Sequence, residues 1–307
     1  MAEVGEGRVA EMAMEDVSAA SARAMSRFTL YLLTGYVGLI LVLMVAMRVT
    51  PSADVFAALA AIAAVMAGRG RAFVRDWGPF VLIFMAWEAM RGVANQFGQS
   101  VQSDSVIAVE RLILGGIPTV WLQETLLVAG TVQLHDVLLS LVYVSHFFFP
   151  LAFAFLLWLH WRPMYYRFVV TLMVVSFAAF LTFVLLPVAP PRFAYMYGEA
   201  LPVVDVVHEV SRQGGWQGFS WVYRNLVGNP VAAFPSMHAA YPLLVFLFLL
   251  EWRRGWALAW APFVFIVWFA TVYLGHHYVV DVAGGAVYAV GGYLLVRRLV
   301  RVRHAGI

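Results

Sequence analysis

The chain has 307 residues, 63% of them hydrophobic and 12% charged, with a mean hydropathy of +0.82. Soluble domains carry about a quarter charged residues, so this composition excludes an ordinary soluble globule and points to a polytopic membrane protein. The absence of cysteine excludes disulfides, thiolate metal sites and a cysteine nucleophile, and the net charge of +3 is carried by short arginine clusters rather than by a basic stripe for nucleic acid.

Residues 1–26 are acidic and alanine-rich with no apolar core, and read as a cytoplasmic tail ahead of a membrane domain over 27–307. The first span is expected over Phe28–Val49, and after Thr50-Pro51-Ser52 a shorter run over Val55–Ala67 returns as a hairpin. Arg69, Arg71 and Arg75 form a basic loop before a third span, Gly78–Phe97, which carries Glu88 and Arg91 towards its far end. Val106–Leu114 and Val120–Val128 are amphipathic and broken by Gly115-Gly116-Ile117-Pro118, which predicts re-entrant or interfacial helices. A fourth span over Val137–Leu159 contains His146, and a fifth covers Phe168–Leu186. The non-spanning segment 187–235 is rich in Pro, Gly, Trp and Tyr. Its Tyr195, Tyr197, Trp216 and Trp221 suit an interfacial belt. Three further spans, His238–Leu250, Ala257–Leu274 and Val279–Leu295, complete an all-α bundle of about eight transmembrane helices.

The chain has no lysine, so its twenty basic residues are all arginine. With the N-terminus inside, the inner loops hold Arg69, Arg71, Arg75, Arg162, Arg167, Arg253 and Arg254, and the C-terminal tail holds Arg297, Arg298, Arg301 and Arg303. The longer outer segments hold Arg111, Arg192, Arg212, Arg224 and the borderline Arg91. That bias puts both termini in the cytoplasm and places Pro235-Ser236-Met237-His238 and Gly275-His276-His277-Tyr278-Val279-Val280-Asp281 on the outer face. The plasma membrane is the expected location. Gly284, Gly285, Gly291 and Gly292 repeat at a seven-residue interval in the last span and predict close helix packing.

His277 and Asp281, four apart at a helix start, share a face. The pair suits a helix cap, or a carboxylate that fixes an imidazole tautomer and leaves the second nitrogen for chemistry. Ser236 and His238 open another helix, either as an N-cap or as part of an anion site. Arg192 is a lone arginine at the end of the fifth span, suited to headgroup contact or to bidentate phosphate binding. His146 is expected to face the bundle interior, and Glu88 with Arg91 to form an i, i+3 pair or to line a headgroup pocket.

Together these residues resemble the lipid phosphate phosphatase superfamily, the type-2 phosphatidate phosphatases. Pro235, Ser236 and His238 match the family's Pro-Ser-x-His motif, and Gly275, His277, Tyr278 and Asp281 match Gly-x-His-Tyr-x-x-Asp. The family's first-motif lysine is absent, and Ala270-Thr271 stands where Ser-Arg usually opens the third motif. The stretch Ala189-Pro190-Pro191-Arg192, the doubled His276-His277 and the run Ser145-His146-Phe147 are closer to the inositol phosphorylceramide synthase branch. A diester carries about one negative charge and a monoester about two, so the missing cations fit a diester substrate.

The resemblance implies a phosphatase-like core of about six helices and an enzyme moving a phosphoinositol-like headgroup from a lipid donor to a hydroxyl acceptor through a phosphohistidine. Water as acceptor would instead make it a lipid phosphate or polyprenyl pyrophosphate phosphatase. It implies His277 as nucleophile, Asp281 as its orienting carboxylate, His238 as acid and base, and Arg192 and Ser236 as phosphate ligands. His276 and His146, with Glu88 and Arg91, are expected as headgroup or supporting contacts. Membrane lipids are the expected partners. Neighbouring imidazoles on a helix point in different directions, so His276, His277 and Asp281 do not easily share an ion, and no metal or other cofactor is expected.

Overall fold

The computed structural model describes residues 68–93, 100–146, 148–199, 201–214 and 230–300. The tail, the first two predicted spans, Trp216 and Trp221 lie outside the described residues. Within them every regular element is a helix: α1 (Gly70–Val93), α2 (Ser103–Leu114), α3 (Pro118–Leu126), α4 (Leu134–Ser145), α5 (Phe148–His160), α6 (Arg162–Leu185), a 3-10 helix (Pro191–Tyr197), α7 (Val206–Gln213), α8 (Met237–Trp252), α9 (Arg254–Tyr273) and α10 (Val279–Leu299). The all-helical membrane bundle expected from the composition is what the chain forms.

The helices α6, α9 and α10 are each long and apolar enough to cross a membrane, and the bent pairs α2–α3 and α4–α5 bring the number to five if each pair is one span. The 24 residues of α6 reach ~36 Å at 1.5 Å per residue, more than the ~30 Å hydrocarbon thickness. Pro163 lies in its first turn, where a missing N–H costs nothing. Between α2 and α3 the chain turns through 74°. Gly115 supplies the left-handed C-cap of α2 at φ +77, its N–H bonding Arg111 O. Pro118 then starts α3. A sharply bent pair agrees with the re-entrant expectation.

Several boundaries differ from the sequence reading: α6 begins at Arg162 rather than Phe168, which puts Arg162 and Arg167 in its first turns instead of a loop. Arg71 and Arg75 stand in the first turns of α1 rather than in a loop, because that helix begins at Gly70. The fourth span is not continuous: α4 ends at Ser145 with His146 as its C-cap, and α5 resumes at Phe148. The His146 ring bonds backward, its Nδ1 lying 2.6 Å from Tyr143 O, which takes up a carbonyl at the break. The last helix runs four residues further than expected, to Leu299.

The core lies between α1, α5, α6, α8 and α10, with Trp77, Trp158, Tyr165, Phe168, Tyr241 and Phe248 almost wholly buried. Trp87 Nε1 donates to Ser176 O at 2.8 Å and ties α1 to α6. The glycine repeat on α10 is used for packing, though not at every position. A Cβ on Gly285 would stand 2.1 Å from Ser236 O, one on Gly292 2.4 Å from Val175, and one on Gly284 2.5 Å from the Phe234 ring, whereas Gly291 faces open space. Gly285 therefore lets α10 press against the backbone at the start of α8, which sets the distance between the two sequence motifs.

The chain directions give the bundle two unlike ends. At one, the start of α6, the α8–α9 turn and the end of α10 bring Arg167, Glu251, Tyr293 and Arg297 into contact. At the other, the α4–α5 break, the start of α8 and the α9–α10 turn bring together His146, His238, His276 and His277, with Arg192 from the 3-10 helix.

Candidate active site

The turn between α9 and α10 is built on Thr271. Its carbonyl accepts from His276 N at 3.0 Å and His277 N at 3.1 Å. Gly275 sits at φ +80, and a Cβ there would lie 2.9 Å from Val203 and 3.2 Å from Val204 O, so both conformation and space call for glycine. Gly275 O in turn accepts from Arg192 N at 3.0 Å, which fastens the 3-10 helix to this turn.

Asp281 caps α10 from inside. Its Oδ2 accepts from Tyr278 N at 2.8 Å and stands 3.4 Å from His277 Nδ1, while its backbone O accepts from Ser236 N at 2.9 Å. The other face of His277 meets α8: its Nε2 lies 3.0 Å from His238 Nδ1. A carboxylate, an imidazole and a second imidazole thus stand in a row. If Nδ1 of His277 carries its proton towards Asp281, its Nε2 is the lone-pair nitrogen and His238 Nδ1–H is the donor. Ser236 is wholly buried, and its Oγ accepts from Ala239 N at 3.2 Å as the α8 N-cap.

A second triad adjoins the first. Arg192 Nη1 lies 2.5 Å from His276 Nδ1, and Arg192 Nε lies 3.3 Å from Asp205 Oδ2. A guanidinium only donates, so His276 Nδ1 must accept, and the ring proton sits on Nε2, which faces Asp205 Oδ1 at 3.7 Å. Burial first, and then the neighbouring Arg192 charge, lower the His276 pKa to about 3, which keeps the ring neutral. Burial pushes the Asp205 carboxyl up, but the interactions with His276 and Arg192 outweigh it and hold the group below the usual carboxylate range.

His146 closes the cluster, its ring 3.7 Å from that of His238. The bend after α4 is what brings it there. Of the residues singled out from sequence, His277, Asp281, His238, His276, Arg192, Ser236 and His146 all meet at this end of the bundle. Glu88 and Arg91 lie near the end of α1, and their side chains are outside the described residues.

Three participants carry no sequence signal of their own. The Tyr143 ring stacks on His238 at 4.3 Å and 13° and lies 4.3 Å from His276. Asp205 sits in an unremarkable Val-Val-Asp-Val-Val run. Glu110 on α2 is fully buried, with Oε2 accepting from Val280 N at 3.1 Å in the first turn of α10. The nearest signal for Glu110 is a carboxylate beside Arg111 in an amphipathic stretch.

An integral membrane helical bundle with imidazoles, carboxylates and a guanidinium gathered at one end is the class that fold and site define. The chain belongs to the PAP2 superfamily, whose family profile matches residues 104–295. It is 30% identical over 170 residues to the phosphoinositol dihydroceramide synthase of Bacteroides thetaiotaomicron, covering 52% of this chain and 54% of that protein. It is 28% identical over 159 residues to the inositol phosphorylceramide synthase of Candida albicans, covering 49% of this chain and 34% of that protein. The chain thus spans about half the length of the first relative and about a third of the second. No solved structure matches it.

Proposed function

We propose that this protein is a membrane phosphotransferase that moves a phosphoinositol-type headgroup from a lipid donor to a lipid hydroxyl through a phosphohistidine. The observation that carries this reading is the row Asp281–His277–His238, with 3.4 Å and 3.0 Å between successive polar atoms. Relatives named as synthases of phosphoinositol dihydroceramide and inositol phosphorylceramide support the headgroup and the ceramide-type acceptor.

In the first half-reaction a phosphodiester takes the place of the His277–His238 hydrogen bond. His277 Nε2 attacks phosphorus while Asp281 balances the positive charge growing on the ring. The bond from phosphorus to the diacylglycerol oxygen breaks, and His238, protonated on both nitrogens, gives that oxygen a proton. In the second half the acceptor hydroxyl returns a proton to His238, its oxygen attacks phosphorus, and the P–N bond breaks to restore His277. Arg192 and the hydroxyl hydrogen of Ser236 are assigned to the non-bridging oxygens.

The arginine-rich end supports placing both termini in the cytoplasm and the imidazole end at the outer face, and the plasma membrane is the proposed location. The membrane domain is taken as 27–307, behind a tail at 1–26. The test is to incubate detergent-purified protein with labelled phosphatidylinositol, with and without ceramide. Acceptor-dependent formation of a labelled phosphoinositol ceramide is expected. Phosphate release from phosphatidate without transfer would replace this reading with a phosphatase, and no turnover of either lipid would overturn both.

A further inference from the structure

We propose that Asp205 sets the site to favour singly charged phosphodiesters over doubly charged phosphomonoesters, by holding its carboxylate against Arg192 and His276 at the phosphate cradle. This rests on the reading of Arg192 as the phosphate-binding cation.

The charge count around Arg192 carries the inference. Its guanidinium meets the Asp205 carboxylate at 3.3 Å, and its other near partner, His276, is the neutral tautomer fixed by the 2.5 Å contact to Nδ1. The positive charge offered to a phosphate is therefore already opposed by a negative one a few ångströms away. The chain has no lysine to add a further cation, and Thr271 stands where the family resemblance puts an arginine. Among the described residues, the other groups facing this space are His277 and His238, Asp281 behind His277, and His146 and Tyr143 beyond His238. Protonation of His238 in the transfer cycle matches one negative charge. A second phosphate charge would have Asp205 as its neighbour and no further cation in this set to meet it.

Asp205 is fixed in this place. Its Oδ1 accepts from His208 N at 3.1 Å as the N-cap of α7. One residue earlier, Gln123 of α3 holds both backbone polar groups of Val204, Nε2 donating to Val204 O at 2.9 Å and Oε1 accepting from Val204 N at 2.8 Å. The carboxylate is pinned by a cap on one side and a clamp on the other, so an incoming anion does not displace it cheaply. The same acid makes Asp205 a specificity residue rather than a residue of the transfer row.

The test is a binding measurement on the full chain in detergent, by calorimetry, with dihexanoyl phosphatidylinositol as diester and dihexanoyl phosphatidate as monoester. Wild type is expected to bind the diester more tightly at pH 8, and Asp205→Asn to shift the ratio towards the monoester by about tenfold, with Asp205→Glu keeping the wild-type ratio. An unchanged ratio in a folded Asp205→Asn protein that still binds phosphatidylinositol overturns this proposal alone. Wild type that binds neither lipid overturns it together with the transferase reading. Should Asp205→Asn fail to fold, wild type answers by itself. The second ionisation of a monoester lies near pH 6, so phosphatidate affinity is expected to fall about tenfold relative to the diester between pH 5 and pH 8. A ratio that stays flat across that range overturns the proposal.

Discussion

The two ends of the bundle bury charge in opposite ways. At the arginine end each buried carboxylate has a cation of its own. Asp76 pairs with Arg162 and with Arg75 at 3.0 Å, and accepts from Trp158 Nε1 at 2.8 Å. Glu251 pairs with Arg167 and accepts from Tyr293, with Arg297 at 3.7 Å. At the imidazole end, among the described residues, Asp281 faces an imidazole at 3.4 Å and the Tyr278 N–H at 2.8 Å, Glu110 takes a backbone N–H, and Asp205 shares the Arg192 guanidinium with His276. Permanent opposite charges lock helices together. Imidazoles beside carboxylates keep protons that can move, which is an arrangement for chemistry at the cost of local stability.

The sharpest way to break this contrast is substitution at each end with two readouts. His277→Ala and Asp281→Asn are expected to lower headgroup transfer by about 10³-fold or more while the melting temperature in detergent stays close to wild type. Transfer within tenfold of wild type would remove His277 from the chemistry. Arg167→Ala is expected to do the reverse. Removing one partner of a buried ion pair costs about 3–5 kcal/mol, so the melting temperature falls while transfer per folded molecule is kept.

A smaller effect sharpens the contrast through pH. The His276 pKa of about 3 in the fold lies below its ordinary 6.5, so below pH 6.5 the unfolded chain binds a proton that the folded one does not. The stability this contributes is complete above pH 6.5 and is lost as pH falls from there towards 3, at up to about 1.4 kcal/mol per unit. His276→Gln is expected to flatten the fall in melting temperature between pH 6.5 and pH 4.5. An equally steep fall in the variant would show that His276 is not neutral in the fold.

Much of the site was legible in the sequence because its signals are local. His277 and Asp281 stand four apart, Ser236 and His238 open a helix, and Arg192 is conspicuous as a charge at a span end. The family match and the all-helical fold followed from the same residues. What stayed hidden depends on where the chain travels between motifs. Asp205 is eight residues beyond the 3-10 helix, with no period to mark it, and its partners Arg192 and His276 are 13 and 71 positions away. Tyr143 reads as one more apolar residue of α4. The break at His146 interrupts an apolar pattern that otherwise runs on to Leu159, so hydropathy alone gives one helix where there are two. Glu110 lies in the stretch expected as a re-entrant or interfacial helix, and it is buried against the first turn of α10.

The Gln123 clamp has a consequence for how such a protein changes over evolutionary time. It grips the chain at Val204, downstream of the exposed stretch around Tyr195 and Tyr197, while Arg192 N on Gly275 O grips it upstream. Between these two anchors Tyr195, Met196 and Tyr197 are exposed, whereas Ala194 is buried and Val203 packs against the Gly275 turn, so substitutions at the three exposed positions are expected to leave both anchors in place. A surface that can vary and a polar frame that stays fixed are thereby separable over this short stretch of chain.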